Sequence, residues 1–198
     1  LAARNLDDLS PLALAKLSGQ LDADLAFSTV EGRQNLDLTA KGAKLVAPSV
    51  AIDRLDARVN AGDLYGRSVV DAGIAIDRAV LAGEPVTAIR LDSKGSTSGS
   101  DLSLSASARG FALTSAGRLI PAEPLRLELA SLNASREGRR IALVNPATIS
   151  FPNGGVAIAG LALSIEGGRL TLDGRAGETL DLRLAATDVP LSAARIVA

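Results

Sequence analysis

Acidic side chains occur in close pairs at three places, and paired carboxylates can act as the acid and base of glycoside hydrolysis. The pairs are Asp7 with Asp8, Asp22 with Asp24, and Asp53 with Asp56. Asp22 and Asp24 alternate with Leu21 and Leu25, which is the pattern of the solvated side of a β-strand. We therefore interpret these carboxylates as surface groups and not as a catalytic pair.

Two short motifs resemble functional sites, but neither match is specific enough to predict a function. The stretch from Gly95 to Gly99 resembles a nucleophile elbow, but Thr97 stands at the nucleophile position. Asn133 to Ser135 fits an N-glycosylation acceptor, a pattern short enough to arise by chance. The chain contains no histidine and no cysteine, which excludes Ser-His-Asp and Cys-His catalysis and thiolate or imidazole metal sites. We expect no enzymatic activity, no cofactor and no metal.

The charge balance and the composition further narrow the range of functions expected for the chain. The 21 basic and 22 acidic residues give a net charge of -1, and no run of like charges is longer than two, so nucleic-acid binding is not expected. The hydrophobic share of 47% comes mainly from aliphatic side chains, because only four residues are aromatic. No apolar stretch approaches the roughly 18 to 20 residues of a membrane-spanning helix. The absence of methionine indicates a processed chain or a segment of a longer protein.

Period-two alternation of apolar and polar residues is the dominant pattern, and it predicts half-buried β-strands. Leu180, Leu182 and Leu184 alternate with Asp181 and Arg183 in the clearest example. The apolar positions change from even to odd between Ile158 and Leu161, and a bulge or a tight turn at Gly160 would restore their facing. Turn residues recur every 8 to 15 positions, as in a meander of antiparallel strands.

The pattern predicts an all-β fold, an antiparallel sheet with one or two short helices at repeat boundaries. We expect one repeat segment over residues 1–198, with the sheet at 19–187. Capping signals predict a boundary helix at 10–18 and the start of another at 188–198. A turn is expected at Lys41-Gly42 and a hairpin loop over Ser93–Ser100.

The apolar face shared by these strands is the candidate functional site. It would be either a closed core or an open groove, since a β-sandwich alternates in the same way. A lining of Leu, Ile, Val and Ala with few aromatic anchors favours a groove suited to acyl chains. The candidate lining residues are Leu21, Leu25, Phe27, Leu36, Leu38, Leu102, Leu104, Phe111, Leu113, Leu125, Leu127, Leu129, Ile141, Leu143, Ile149, Phe151, Val156, Ile158, Leu161, Leu163, Ile165, Leu170, Leu172, Leu180, Leu182 and Leu184.

Six segments carry a resemblance to a known family: Arg140–Ala147, Gly155–Ile158, Leu161–Leu163, Gly168–Gly174, Leu180–Leu184 and Val189–Leu191. They resemble the repeats of the TamB family, the translocation and assembly module subunits within the wider AsmA-like group of Gram-negative bacteria, and the similarity covers nearly the whole chain. An Ala- and Arg-rich, Lys-poor composition is typical of an alphaproteobacterial member.

The resemblance implies a protein of the periplasm, anchored in the inner membrane, whose repeats form a long, curved antiparallel sheet. This sheet would be a half-tube with a hydrophobic concave face. It implies that phospholipid acyl chains move along this surface toward the outer membrane and that outer-membrane assembly is supported. The partner would be a TamA-like outer-membrane barrel, contacted through parts of the parent protein outside this segment. Two alternatives remain open: a module that assembles outer-membrane proteins by β-strand augmentation, and a closed β-sandwich spacer.

Overall fold

The structure is a computed structural model that describes residues 2–3, 6, 16–64, 69–81, 83–177 and 179–190. The regular elements assigned within these ranges are antiparallel β-strands, so the prediction of an all-β fold with an antiparallel sheet is confirmed. The chain divides into two compact units, which we call unit 1 (Leu1–Gly110) and unit 2 (Phe111–Ala198). Each unit is described by itself below.

Unit 1 is a meander in which each described strand pairs with the next along the chain. Its first hairpin turns at Glu31 and Gly32, whose φ angles of 52° and 77° suit the tight turns that join antiparallel strands. The strands are β1 (Ala2–Ala3), β2 (Ser18–Val30), β3 (Arg33–Ala47), β4 (Val50–Gly62), β5 (Val69–Leu81), β6 (Glu84–Ser96) and β7 (Gly99–Ala108).

Unit 2 is also a meander, but one of its strand positions is split. The strands are β8 (Phe111–Ile120), β9 (Leu125–Arg136), β10 (Arg139–Leu143), β11 (Ala147–Phe151), β12 (Val156–Ile165), β13 (Gly168–Ala176) and β14 (Leu180–Thr187). β10 and β11 both lie between β9 and β12, one after the other. Pro146 falls in the break between them, where a residue without an N–H group does not interrupt a ladder.

The two expected boundary helices fall mostly outside the described residues. Residues 7–15 and 191–198 are not described. The described end of the first prediction is wrong, because Lys16 and Leu17 are not helical and Ser18 begins β2 by pairing with Val46. Residues 188–190 are not helical either.

One of the predicted turns is wrong, and the predicted hairpin loop at Ser93–Ser100 is a hairpin that is shorter than expected. Gly42, expected in a turn, lies inside β3 and pairs with Leu21. A Cβ atom there would lie 2.6 Å from Cδ1 of Leu45, so glycine makes room for a side chain of its own strand. The expected loop at Ser93–Ser100 is a tight hairpin, because β6 continues to Ser96 and β7 begins at Gly99. The N–H of Gly95 donates to Oδ1 of Asp71 at 2.9 Å, which ties this part of β6 to β5.

Candidate functional site

Strand register gathers the aliphatic side chains of unit 1 on one side of the sheet. Residues paired on neighbouring antiparallel strands point to the same side. One row of pairs runs from Leu25 through Leu38 and Val59 to Ala72. We call this side the aliphatic face of unit 1; it is formed by Leu21, Ala23, Leu25, Phe27, Leu36, Leu38, Ala40, Leu55, Ala57, Val59, Ala61, Val70, Ala72, Ile74, Ile76, Ile89, Leu91, Leu102 and Leu104.

The opposite side of unit 1 is charged and exposed. Asp22 pairs with Lys41, and Lys41 pairs with Asp56, so opposite charges are neighbours across three strands. The Nδ2 group of Asn60 donates to Oδ1 of Asp37 on the same side. Asp22 and Asp24 are both exposed there, which confirms their interpretation as surface groups.

Unit 2 repeats the arrangement with larger side chains. Leu143 pairs with Leu163, which pairs with Leu170, and the next row joins Leu161 to Leu172. The aliphatic face of unit 2 is formed by Phe111, Leu113, Leu119, Leu125, Leu127, Leu129, Leu132, Ala134, Ile141, Leu143, Ala147, Ile149, Phe151, Val156, Ile158, Leu161, Leu163, Ile165, Leu170, Leu172, Leu180, Leu182, Leu184 and Ala186.

Every candidate lining residue named from the sequence lies on the aliphatic face of its unit. The sequence reasoning missed a central part of that face in unit 1, on β4, β5 and β6. Ile74 and Ile76 alternate in the sequence, as do Ile89 and Leu91, and this alternation is the signal that could have placed them. The residues missed are Leu55, Val59, Ile74, Ile76, Ile89 and Leu91.

Backbone irregularities cross the sheet of unit 1 part-way along its strands. Lys44 in β3 and Ala88 in β6 both have a φ of 52°, and ladder pairing is interrupted at these positions. In β4 and β5 the irregular position carries two adjacent exposed residues, Asp53-Arg54 and Asp77-Arg78. Ala79 beyond them is only 1% exposed. This burial pattern indicates that the aliphatic face continues past the irregularity.

In unit 2 a backbone irregularity interrupts β12 at the position predicted from the sequence. The register of β12 against β13 shifts between Ile158 and Leu161, and Gly160 has a φ of 71°, so the predicted bulge is confirmed. The N–H of Gly160 donates to Oδ1 of Asp173 at 2.6 Å. The shift keeps Ile158 and Leu161 on the same side of the sheet, as a bulge does.

Large side chains of the aliphatic faces remain in contact with solvent. The most extensive contacts between described strands of a unit join neighbours along the sheet, and β5 also makes a smaller contact with β7. Leu25 and Phe27 in unit 1 are 53% and 68% exposed, and Leu180 and Leu184 in unit 2 are 74% and 66% exposed. Apolar patches left uncovered in this way are typical of surfaces that bind a partner or ligand.

The hollows of unit 1 lie against its charged side. One of about 720 Å³ is bordered by Asp24, Asp37, Arg58, Asn60 and Asp71, and the row from Leu25 through Leu38 and Val59 to Ala72 also borders it. Its charged side chains are three carboxylates and one guanidinium group, so the lining is mainly acidic.

Charged residues at the strand ends form an ion pair in unit 1 and a pair of neighbouring arginines in unit 2. At the start of β6, the guanidinium group of Arg109 donates from Nε to Oε2 of Glu84 at 2.7 Å and from Nη2 to Oε1. These hydrogen bonds lower the pKa of Glu84 and raise the pKa of Arg109. In unit 2, Arg136 pairs with Arg139 across the β9–β10 hairpin, so two like charges are neighbours.

No protein-family model, curated protein or solved structure is significantly similar to this chain. Among the described residues, no helix is both long enough and apolar enough to cross a membrane.

Proposed function

We propose that the aliphatic faces carry phospholipid acyl chains, and that the chain is part of a periplasmic protein, anchored in the inner membrane, that conducts lipids to the outer membrane. The resemblance to TamB repeats supplies the location and the two membranes. The observation that carries the binding role is the strand register, which collects the aliphatic side chains of each unit on one side and charged side chains on the other.

The dimensions of these faces suit hydrocarbon tails. β9 has 12 residues, which corresponds to roughly 40 Å at about 3.4 Å per residue. An acyl chain spans about half of the roughly 30 Å bilayer core, so it can lie along a strand of this length. Each methylene removed from water contributes about 0.8 kcal/mol, and no specific residue is needed for that gain.

The chemistry is passive binding in which no bond is made or broken. Successive rows, such as Leu163 with Leu170 and Leu161 with Leu172, offer nearly equivalent aliphatic contacts. An acyl chain that moves by one row of paired residues therefore exchanges one set of contacts for a similar one. In this proposal the tails move along the face while the headgroups stay in water.

A matched pair of substitutions on β14 tests this function. Leu184 lies on the aliphatic face, whereas its neighbour Ala185 lies on the opposite side, and both are exposed. Leu184→Asp should reduce the phospholipid that co-purifies with the protein several-fold, because a carboxylate cannot be buried against hydrocarbon. Ala185→Asp adds the same charge and should leave lipid retention unchanged.

The readout is mass spectrometry of the lipids retained by each purified variant, with the unfolding midpoint measured beside it. Equal retention by the two variants, or no lipid on the unsubstituted protein, would contradict the proposal. If Leu184→Asp unfolds the protein while Ala185→Asp does not, a closed spacer is favoured instead.

A second function, strand addition to outer-membrane proteins, is favoured by β14. Among the described strands β14 pairs only with β13, and all eight of its residues are exposed. An unpaired edge of this kind offers N–H and C=O groups to another strand.

Prolines at adjacent positions of β14 test this alternative. Consecutive residues of a strand direct their N–H groups to opposite edges, so only one of Ala185→Pro and Ala186→Pro removes a bond to β13. The other removes only an outward N–H group. If that variant keeps its unfolding midpoint and its retained lipid but loses capture of an unfolded outer-membrane protein, strand addition is supported; unchanged capture would contradict it.

A further inference from the structure

Two arginines lie at one end of the aliphatic face of unit 2, where the β9–β10 hairpin turns. Arg136 and Arg139 are direct cross-strand partners. Ala134 and Ile141, two residues further along these strands, are also partners and belong to the aliphatic face. Side chains two residues apart on a strand point to the same side, so both arginine side chains leave the backbone on the side that carries the aliphatic residues.

This pairing of like charges is unfavourable by itself. Side chains directly opposite each other on antiparallel strands have Cβ atoms about 4.5 to 5.5 Å apart, and like charges there are destabilising. Nε of Arg136 is 3.9 Å from Oε1 of Glu137, and Nε of Arg139 is 3.3 Å from Oε1 of Glu166. The arginine side chains are nearly half exposed, and Glu137 is exposed as well, so the Arg136–Glu137 pair is weak and open to competition from an anion. Glu166 is only 21% exposed, so its pair with Arg139 is better shielded from water.

An aromatic ring positions one of the two guanidinium groups. Cζ of Arg136 lies 5.8 Å from the centre of the Phe111 ring, within the range of a cation–π contact. Phe111 is half-buried at the start of β8. The contact leaves the edge of the guanidinium group, which carries its N–H donors, available to an acceptor.

The other end of the same face is apolar. Phe151 pairs with Leu125 there, and Val156 pairs with Ala176, which pairs with Leu180. Among the described residues, the aliphatic face of unit 2 therefore has two arginines at one end, with Glu137 and Glu166 beside them, and paired apolar side chains at the other. An amphiphile with an anionic head and hydrocarbon tails has the complementary distribution along its length.

We propose that Arg136 and Arg139 bind the phosphodiester group of a glycerophospholipid whose acyl chains lie on the aliphatic face of unit 2. Guanidinium groups form bidentate hydrogen bonds with phosphate oxygens, and a phosphate between the two arginines relieves their repulsion. A lipid with a net negative charge is bound more tightly than a zwitterionic one. This inference rests on the proposed function, because it names the headgroup contact for the same lipid.

A pair of double substitutions separates this site from general electrostatic attraction. Arg136→Gln combined with Arg139→Gln removes both positive charges at the β9–β10 hairpin. Arg140→Gln with Arg169→Gln removes the same charge from the opposite side of the sheet, where Arg140 pairs with Ser135 and Arg169 pairs with Ser164. All four side chains are exposed, so the sheet should be retained in both variants.

Two probes with identical tails are used with the whole 198-residue chain: dioctanoyl phosphatidylglycerol, and dioctanoylglycerol, which lacks the phosphate. Titration calorimetry with monomeric lipid should show that Arg136→Gln with Arg139→Gln weakens phosphatidylglycerol binding about tenfold, the effect of losing charge-assisted hydrogen bonds. Binding of dioctanoylglycerol should not change. The Arg140→Gln, Arg169→Gln control should change either binding constant by less than about twofold, because its cations lie on the other side.

The experiment distinguishes failure of the headgroup site from failure of the proposed lipid function. Equal weakening of phosphatidylglycerol binding in the two double variants, or none in either, would overturn the headgroup site while tail binding stands. If the unsubstituted protein binds neither probe, the proposed lipid function itself fails, and the headgroup site fails with it.

Discussion

Unit 1 and unit 2 both interrupt the alternation of their strands part-way along, but with different residues. In unit 1 the backbone enters the left-handed region at Lys44 and Ala88, with φ angles of 52°. In unit 2 it does so at Gly160 and Gly174, with φ angles of 71° and 131°. L-residues can adopt the first conformation with some strain, whereas the φ of Gly174 is essentially restricted to glycine. The aliphatic faces therefore depend on backbone irregularities that have no single sequence signature.

The largest effect is expected at Gly174. A Cβ atom there would lie 2.0 Å from the carbonyl oxygen of Asp181 on β14, in addition to the strain of a φ of 131°. Gly174→Ala should lower the free energy of unfolding by about 3 kcal/mol, which denaturant titration can measure. Gly167→Ala is the matched control, because its φ is 91° and its Cβ would meet nothing within 4 Å; it should cost only about 1 kcal/mol. Equal costs would show that the close approach of β13 to β14 is not a constraint.

A smaller effect, an increase in the free energy of unfolding, is expected for one substitution in unit 1. Ala88→Gly relieves a left-handed residue, a gain of about 1 to 2 kcal/mol, but it raises the chain entropy of the unfolded state by about 0.4 to 1 kcal/mol. The net result should be a free energy of unfolding about 0.5 to 1 kcal/mol higher. Ala112→Gly, in a regular part of β8, should instead be destabilising. A loss of stability in Ala88→Gly would mean that the irregularity in β6 is not strained.

The smallest effect concerns the ion pair at the start of β6. The hydrogen bonds from Arg109 lower the pKa of Glu84 below its usual value near 4.5, so the pair stabilises the folded state above that pH. This contribution is lost as the pH falls through the lowered pKa. Glu84→Gln should therefore lower Tm slightly at pH 7, and the difference from the unsubstituted protein should shrink as the pH falls through the lowered pKa, while Glu31→Gln serves as an exposed control. A Tm difference that does not shrink at acidic pH would contradict this assignment.

Much of the fold could be predicted because the alternation is local. Leu180, Leu182 and Leu184 determine the faces of β14 by themselves, and a parity change beside Gly160 is enough to predict a bulge. The irregularity at Asp53-Arg54 was missed because no glycine accompanies it. Gly42 was assigned to a turn for the opposite reason, since a glycine that makes room for Leu45 resembles a turn glycine in sequence.

The candidate site could be predicted only in part, since its residues meet through register. The alternation assigns each strand two faces, but pairing decides which faces lie together. Val59 joins Leu38 to Ala72 only because β4 lies between β3 and β5 in that register. The pairing of Arg136 with Arg139 follows in the same way from the tight turn at Glu137-Gly138.

The most direct test of lipid binding on the aliphatic face uses a photoreactive amino acid placed in turn at four consecutive positions of β13. Leu170 and Leu172 lie on the aliphatic face, and Thr171 and Asp173 lie on the opposite side. After irradiation in the presence of phospholipid, mass spectrometry should find lipid adducts at Leu170 and Leu172 and not at Thr171 or Asp173. Adducts at all four positions, or on the opposite side alone, would contradict the account.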